Sequence, residues 1–182
     1  MTPDEILTLF AVANERLLEL RFVQRKHGER FDDEMVEACI RLEQAEFFLR
    51  RFQEAEVQQS KDGWTKHSGP VAADPLRALG EAFYYFAGRA AKALGVIQAI
   101  DLDVDAVGVR NVRNHMVEHP EKTNGLRVSW WEVDCVQGLV LAPGNPVGQQ
   151  GWSDKGLYPN AQEFIDKLLP KIELAISQKG GA

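Results

Sequence analysis

The stretch DPLRALGEAFYYFAGRAAKALGVIQAI, residues 74–100, decides the fold class of this chain. It opens with an aspartate and a proline, the residue types that cap a helix and occupy its first position. The residues that follow are apolar on nearly every side, with Arg89 and Lys92 as internal cations. Because a helix that is apolar all round is normally buried, we predict that this helix, which ends at about Ile100, is the centre of a mainly α fold.

Two long amphipathic helices are predicted before the central one. Apolar residues recur every three or four positions over residues 3–27 and again from Asp33 to about Gln59, which is the period of a helix with one buried face. Thr2 is placed to cap the first helix, and Gly28 ends it. The connection between the two helices is short, so we expect an antiparallel helical hairpin.

The sequence pattern changes after the central helix. A fourth helix is predicted over about Val104 to His119, where Pro120 stops it. Two segments rich in β-branched, aromatic and other apolar residues then follow, 127–135 (RVSWWEVDC) and 138–142 (GLVLA). Only a tight connection separates them. These two segments predict a two-stranded β-hairpin.

A last helix is predicted at residues 160–178, with Pro170 expected to kink or split it. We therefore predict a mainly α fold, a helical bundle of four to five helices with a two-stranded β-hairpin insertion before the last helix. The whole chain, 1–182, is expected to be a single helical domain. Within it, residues 3–119 form the helical core and residues 124–159 the hairpin and a long loop.

Composition excludes several classes of protein. The net charge is −6, which repels the phosphates of a duplex, so duplex DNA is not an expected partner. Cys39 and Cys135 have no zinc-type spacing and are predicted to be buried thiols in a reducing compartment. The first residues are acidic where a signal peptide needs basic ones, and no apolar run is long enough to span a bilayer. We expect a cytoplasmic protein with no membrane partner.

The densest chemistry lies in VRNVRNHMVEHPEK, residues 109–122. This segment holds two arginine–asparagine pairs, two histidines and a glutamate: Arg110 with Asn111, Arg113 with Asn114, His115, His119 and Glu118. One interpretation is a zinc site, because His115, Glu118 and His119 match H-x-x-E-H. Such a site needs a third protein ligand and is typical of much larger chains, so neither a metal nor another cofactor is predicted.

A second interpretation is metal-independent RNA cleavage. That reaction needs a base near the 2′-hydroxyl, which a histidine supplies at a pKa close to neutral, and a fixed cation on the phosphate, which an arginine supplies. An amide beside the arginine can orient either group. The segment contains all three residue types.

These residues resemble the motif of the HEPN superfamily, helical domains whose active members are ribonucleases. In that motif an arginine followed by a polar residue precedes a histidine by four to six positions. Arg113 and Asn114 with His119 fit it and include the Glu118–His119 pair seen in several such families, so we prefer them to the second register, Arg110 and Asn111 with His115. The resemblance implies RNA as a partner, a homodimer, and roles for His119 as base or proton donor, Arg113 on the scissile phosphate and Asn114 in positioning them.

A third interpretation assigns the segment no catalysis. The arginines and Glu118 are then solvated or cap partners, the asparagines bind loop carbonyls, and both histidines are cations at the C-terminal end of a helix. The function predicted in that case is a non-catalytic helical interaction or dimerisation module with a protein partner.

Overall fold

The structure is a computed structural model, and it describes residues 1–26, 33–61, 75–103, 108–113, 130–134, 138–142 and 155–180. Five helices account for most of these residues: α1 (Pro3–Lys26), α2 (Asp33–Lys61), α3 (Pro75–Val96), α4 (Gly108–Val112) and α5 (Leu157–Gly180). The two long helices predicted before the central one are confirmed.

The beginning of α1 is held by the predicted cap. The Thr2 hydroxyl oxygen accepts a hydrogen bond from the Glu5 amide at 3.3 Å, and the Glu5 carboxylate accepts one from the Thr2 amide at 2.7 Å. This reciprocal pair is a capping box, which satisfies two amides that the helix itself leaves without a partner. The same hydrogen bond from the Thr2 amide is the main reason that the pKa of Glu5 is lowered.

One continuous apolar core joins the five helices. At its centre the rings of Phe10 and Phe83 lie 6.0 Å apart and those of Phe10 and Phe164 lie 6.2 Å apart, so α1, α3 and α5 meet there. Ten residues of α3 are buried, which confirms its prediction as the central helix. Cys39 is also buried, and burial raises the pKa of its thiol to about 11, as expected of a cysteine that packs as an apolar side chain.

The end of α3 differs from the prediction. The helix stops at Val96, and Ile97 and Ile100 continue in a turn that keeps both side chains in the core. Asp101 follows with a φ of 46°, a left-handed conformation that aspartate tolerates better than most residues do. The Lys171 ammonium donates to the Asp101 carbonyl at 2.6 Å, so α5 stabilises this turn. Because the apolar pattern of the sequence continues through this turn, the sequence predicted the end of α3 at about Ile100, four residues beyond Val96.

The last helix also differs from its prediction at two points. It begins at Leu157 and not at Asn160, because Pro159 fits the first turn, where an amide hydrogen is not needed. The Asn160 amide then donates to the Gly156 carbonyl at 3.1 Å, so Asn160 is a helical residue. Pro170 does not split α5, which continues to Gly180. Pro170 lies on the exposed side, where water can bind the carbonyl that proline leaves without a donor.

The predicted fold class requires a correction at the β-hairpin. The mainly α class is confirmed, because five helices account for most of the described residues, but the predicted β-hairpin insertion is not supported as a component of the helical bundle. Two short segments, β1 (Trp130–Asp134) and β2 (Gly138–Ala142), pair with each other antiparallel through their backbones, with Trp130 opposite Ala142. Two strands by themselves are only marginally stable in water, and the helices supply the described core.

Candidate functional site

The short helix α4 carries the beginning of the candidate motif. Its described residues are Gly108–Val112, which lie within the helix that the sequence predicted from Val104 to His119. Residues 104–107 and 114–119 lie outside the described residues. A segment as short as the described Gly108–Val112 has little helical stability of its own in water, so its contacts with the rest of the bundle hold it in place. Val109 and Val112 are both buried in the common core.

Arg113, the first residue of the preferred motif, is buried directly after α4. Its side chain is 3% exposed, and its Nη1 donates a hydrogen bond to the Gly88 carbonyl of α3 at 3.2 Å. A buried charge is costly unless hydrogen bonds compensate it, and the Gly88 carbonyl supplies part of that compensation. In this position the guanidinium contacts the central helix and is shielded from solvent.

Gly88 is the residue that makes room for Arg113. A Cβ atom at position 88 would lie 2.9 Å from the Arg113 Cβ and nearer still to its Cδ, closer than real Cβ atoms approach, and it would lie 3.1 Å from the Cγ, which is tighter than most real Cβ contacts. Glycine in the middle of a helix is destabilising by about 1 kcal/mol relative to alanine. The close approach of Arg113 is the packing reason for that residue in α3.

The beginning of α4 is held by a second buried contact. The Asn160 side chain of α5 donates from Nδ2 to the Tyr84 hydroxyl at 3.0 Å, and its Oδ1 lies directly against Gly108. Tyr84 is fully buried and Asn160 is 2% exposed. A Cβ at Gly108 would collide with that oxygen, so glycine is required there too.

A charged group on α5 borders the same end of α4. Glu163 Oε2 would lie 3.7 Å from a Cβ at Gly108, and its carboxylate pairs with Lys167 at 2.6 Å and with Lys155 at 3.2 Å. Burial alone would raise the pKa of Glu163, but the hydrogen bonds from the two lysines outweigh it and lower that pKa. With Asp166 nearby, the shallow cleft of about 470 Å³ along this face of α5 holds both signs of charge.

The predicted site residues are only partly within the described residues. Arg110 is half-buried on α4 and Arg113 is buried beside it. The side chain of Asn111 and the whole of Asn114, His115, Glu118 and His119 lie outside the described part of the chain. The convergence of an arginine and a histidine in either register therefore stays a prediction.

The residues that hold α4 were not found from the sequence. Tyr84 belonged to a run of aromatic residues predicted to be core, and Asn160 was predicted to begin the last helix. An isolated glycine within a strong helical pattern was the one available signal, because such a glycine commonly has a packing reason. That signal marks Gly88 together with Gly80 and Gly95 of the same helix, and it does not say which side chain Gly88 receives.

No protein-family model, curated protein or solved structure matches this chain. Among the described residues, no group of three or more histidine, cysteine, aspartate or glutamate side chains is arranged to hold a metal ion. The helices of the described ranges also include none with an apolar stretch that could cross a bilayer. The geometry around α4 is consequently the basis for the functional proposal.

Proposed function

We propose that this protein is a HEPN-like protein that acts on RNA as a metal-independent endoribonuclease, or binds RNA as a relative of such enzymes. His119 removes the proton of a ribose 2′-hydroxyl, and the 2′-oxygen attacks the adjacent phosphorus. The bond from phosphorus to the 5′-oxygen breaks, that oxygen takes a proton from solvent water as it leaves, and the proton accepted by His119 returns to solvent. The products are a 2′,3′-cyclic phosphate and a 5′-hydroxyl.

The observation that supports this proposal is the fixed position of the first motif residue. Arg113 is held against the central helix through Gly88, and Gly108 is held through Asn160. Both ends of the described segment of α4 are thus held by buried contacts. A catalytic group must be placed within a fraction of an ångström to be effective, and these contacts fix the position of Arg113, the residue at which the preferred motif begins.

The two arginines take different roles in this proposal. Arg113 is buried and bound to a backbone carbonyl, so we assign it the role of positioning the motif residues that follow it in sequence, Asn114 and His119. Arg110 lies one turn earlier and is half-buried, so its guanidinium is the better placed of the two to contact a scissile phosphate. In this proposal Arg110, from the second register, takes the phosphate-binding role that the resemblance gives to Arg113, and His119 of the preferred register remains the base.

Cleavage of a single-stranded RNA oligonucleotide in the presence of a chelator tests the proposal. We expect the wild-type protein to cleave, the His119→Ala variant to be slower by about 100-fold or more, as for loss of a general base, and the His115→Ala variant to stay active. The products should carry 2′,3′-cyclic phosphate ends. An inactive wild-type protein would leave only RNA binding, and loss of activity in His115→Ala but not in His119→Ala would assign the other register.

The roles of the arginines are separated by measuring stability beside activity. Arg110→Ala should reduce cleavage and lower the free energy of unfolding by less than Arg113→Ala does, because the Arg110 side chain is only half-buried. Arg113→Ala should reduce both, because it removes a buried hydrogen bond and side chain. Equal losses of stability in the two variants would contradict this assignment.

A second candidate function is a dimerisation module, and the exposed apolar face of α2 favours it. Ile40 and Phe47 lie seven residues apart on that helix and are 44% and 51% exposed. The Phe47 ring contacts Phe48, and the Arg51 guanidinium lies over it at 5.3 Å. Arg51 is itself paired with Glu54 at 2.8 Å, so the face is close to neutral there and does not repel a second copy of itself.

Sedimentation of the purified protein tests this second function. If α2 forms the interface, Phe47→Glu should convert a dimer into a monomer, because it places a charge at the centre of the contact. Leu174→Glu is the matched control, since Leu174 is 57% exposed on α5. A monomeric wild-type protein, or a dimer that survives Phe47→Glu, would exclude this interface.

A further inference from the structure

We propose that Tyr84 and Asn160 are positioning residues for the candidate motif, through a buried hydrogen bond that fixes the beginning of α4. The Asn160 amide nitrogen donates to the Tyr84 hydroxyl at 3.0 Å, across helices α5 and α3. The amide oxygen of the same side chain lies against Gly108. One asparagine therefore connects the central helix to the residue at which α4 begins.

The two contacts that hold α4 come from the same face of α3. Tyr84 and Gly88 are four residues apart, which places them one above the other on a helix. Tyr84 acts on the beginning of α4 through Asn160, and Gly88 acts on its end through Arg113. The central helix thus sets both the position and the direction of the short helix.

The polar atoms of this pair serve more than packing. The ring of a phenylalanine would fill the space of the Tyr84 ring equally well. The neighbouring residue, Phe83, is such a ring without a hydroxyl and is also fully buried in the core. Asparagine is a weak helix former, yet Asn160 is buried within α5. Buried polar groups without partners are destabilising, whereas paired ones specify a single arrangement. The tyrosine hydroxyl and the asparagine amide therefore select one orientation of α4 where apolar contacts would allow several.

The hydroxyl can be removed without disturbing the core. Tyr84→Phe deletes one oxygen, Asn160→Ala removes the connecting amide, and Tyr85→Phe is the matched control, because Tyr85 is a half-buried tyrosine on the next position of the same helix. The first measurement is hydrogen exchange of the backbone amides of Val112 and Arg113, which report on α4 itself. The second is the split between kcat and KM in RNA cleavage, and this part of the inference rests on the proposed function.

In Tyr84→Phe and in Asn160→Ala we expect the amides at the end of α4 to exchange about tenfold faster, the change expected from one lost hydrogen bond. Amides in α1 and α2 should change by less than about twofold. For cleavage, kcat should fall about tenfold with KM nearly unchanged, since orientation affects the reaction more than binding. Tyr85→Phe should match the wild-type protein in both measurements.

The outcomes separate this inference from the proposed function. Unchanged exchange at α4 in both variants would overturn the positioning role, as would an equal acceleration in all helices, which indicates only a general loss of stability. Faster exchange at α4 with unaltered kcat in an active enzyme would also overturn it. If the wild-type protein does not cleave RNA, the proposed nuclease function fails, and the exchange measurement still decides whether these residues fix α4.

Discussion

Replacing Gly88 with alanine places a methyl group where Arg113 now packs, and we expect the variant to be less stable by about 1.5–5 kcal/mol. Overpacking of a well-filled site costs about 1–3 kcal/mol. Displacing the guanidinium from the Gly88 carbonyl removes a hydrogen bond to a charged group, which contributes about 1.5–3 kcal/mol. The better helix propensity of alanine offsets about 1 kcal/mol of that loss.

Urea denaturation followed by circular dichroism measures this change, and a second background tests its cause. In the Arg113→Ala variant the Cγ and Cδ atoms that meet the new methyl group are absent, although the Cβ at 2.9 Å remains. Gly88→Ala should therefore cost at least about 1 kcal/mol less in that background than in the wild-type protein. The packing argument fails if Gly88→Ala stabilises the protein, or if its cost is the same in both backgrounds.

Three further predictions concern other parts of the bundle. Pro170→Ala should raise the free energy of unfolding by about 1–3 kcal/mol in urea titrations, because Pro170 interrupts the hydrogen bonds of a continuous helix. In a Cys135→Ala background, Cys39 should react with a thiol reagent at pH 8 far more slowly in the folded than in the unfolded protein, since it is buried and its pKa is raised to about 11. Burial and the hydrogen bond to Glu56 raise the pKa of Tyr158. The stability that Tyr158 contributes is therefore complete below the ordinary tyrosine pKa of about 10 and declines as the pH rises above it. The Tyr158→Phe variant should be less stable than the wild-type protein at pH 7 and should lose less stability than the wild-type protein between pH 9 and 11.

The long helices were predictable from the sequence because their apolar residues recur every three or four positions over many turns. The apolar stripe of α1 and its Thr2 cap both appear in the sequence, and each was found where it was expected. Helix ends were less predictable, because the turn after Val96 keeps apolar residues buried and so preserves the period of the helix. The low helix propensity of proline predicted that Pro170 would kink or split α5, but the helix continues past it to Gly180, because the packing of α5 on the core outweighs that propensity.

The candidate site was predictable in its residue types but not in its geometry. The sequence singles out Arg113, yet charged side chains are normally exposed, so its burial against Gly88 could not be expected from composition. The link from Tyr84 through Asn160 to α4 depends on contacts between residues 76 positions apart in the chain. No local pattern contains that information.

The meeting of Phe10 with Phe164 also has a consequence for synthesis on the ribosome. The rings belong to the first and last helices, and Arg16 of α1 pairs with Glu173 of α5 at 2.9 Å. The nascent chain therefore cannot close its core until α5 has emerged from the exit tunnel, and until then the apolar stripe of α1 lacks its native partner. Chaperones that bind apolar segments can reach that stripe for as long as α5 is missing.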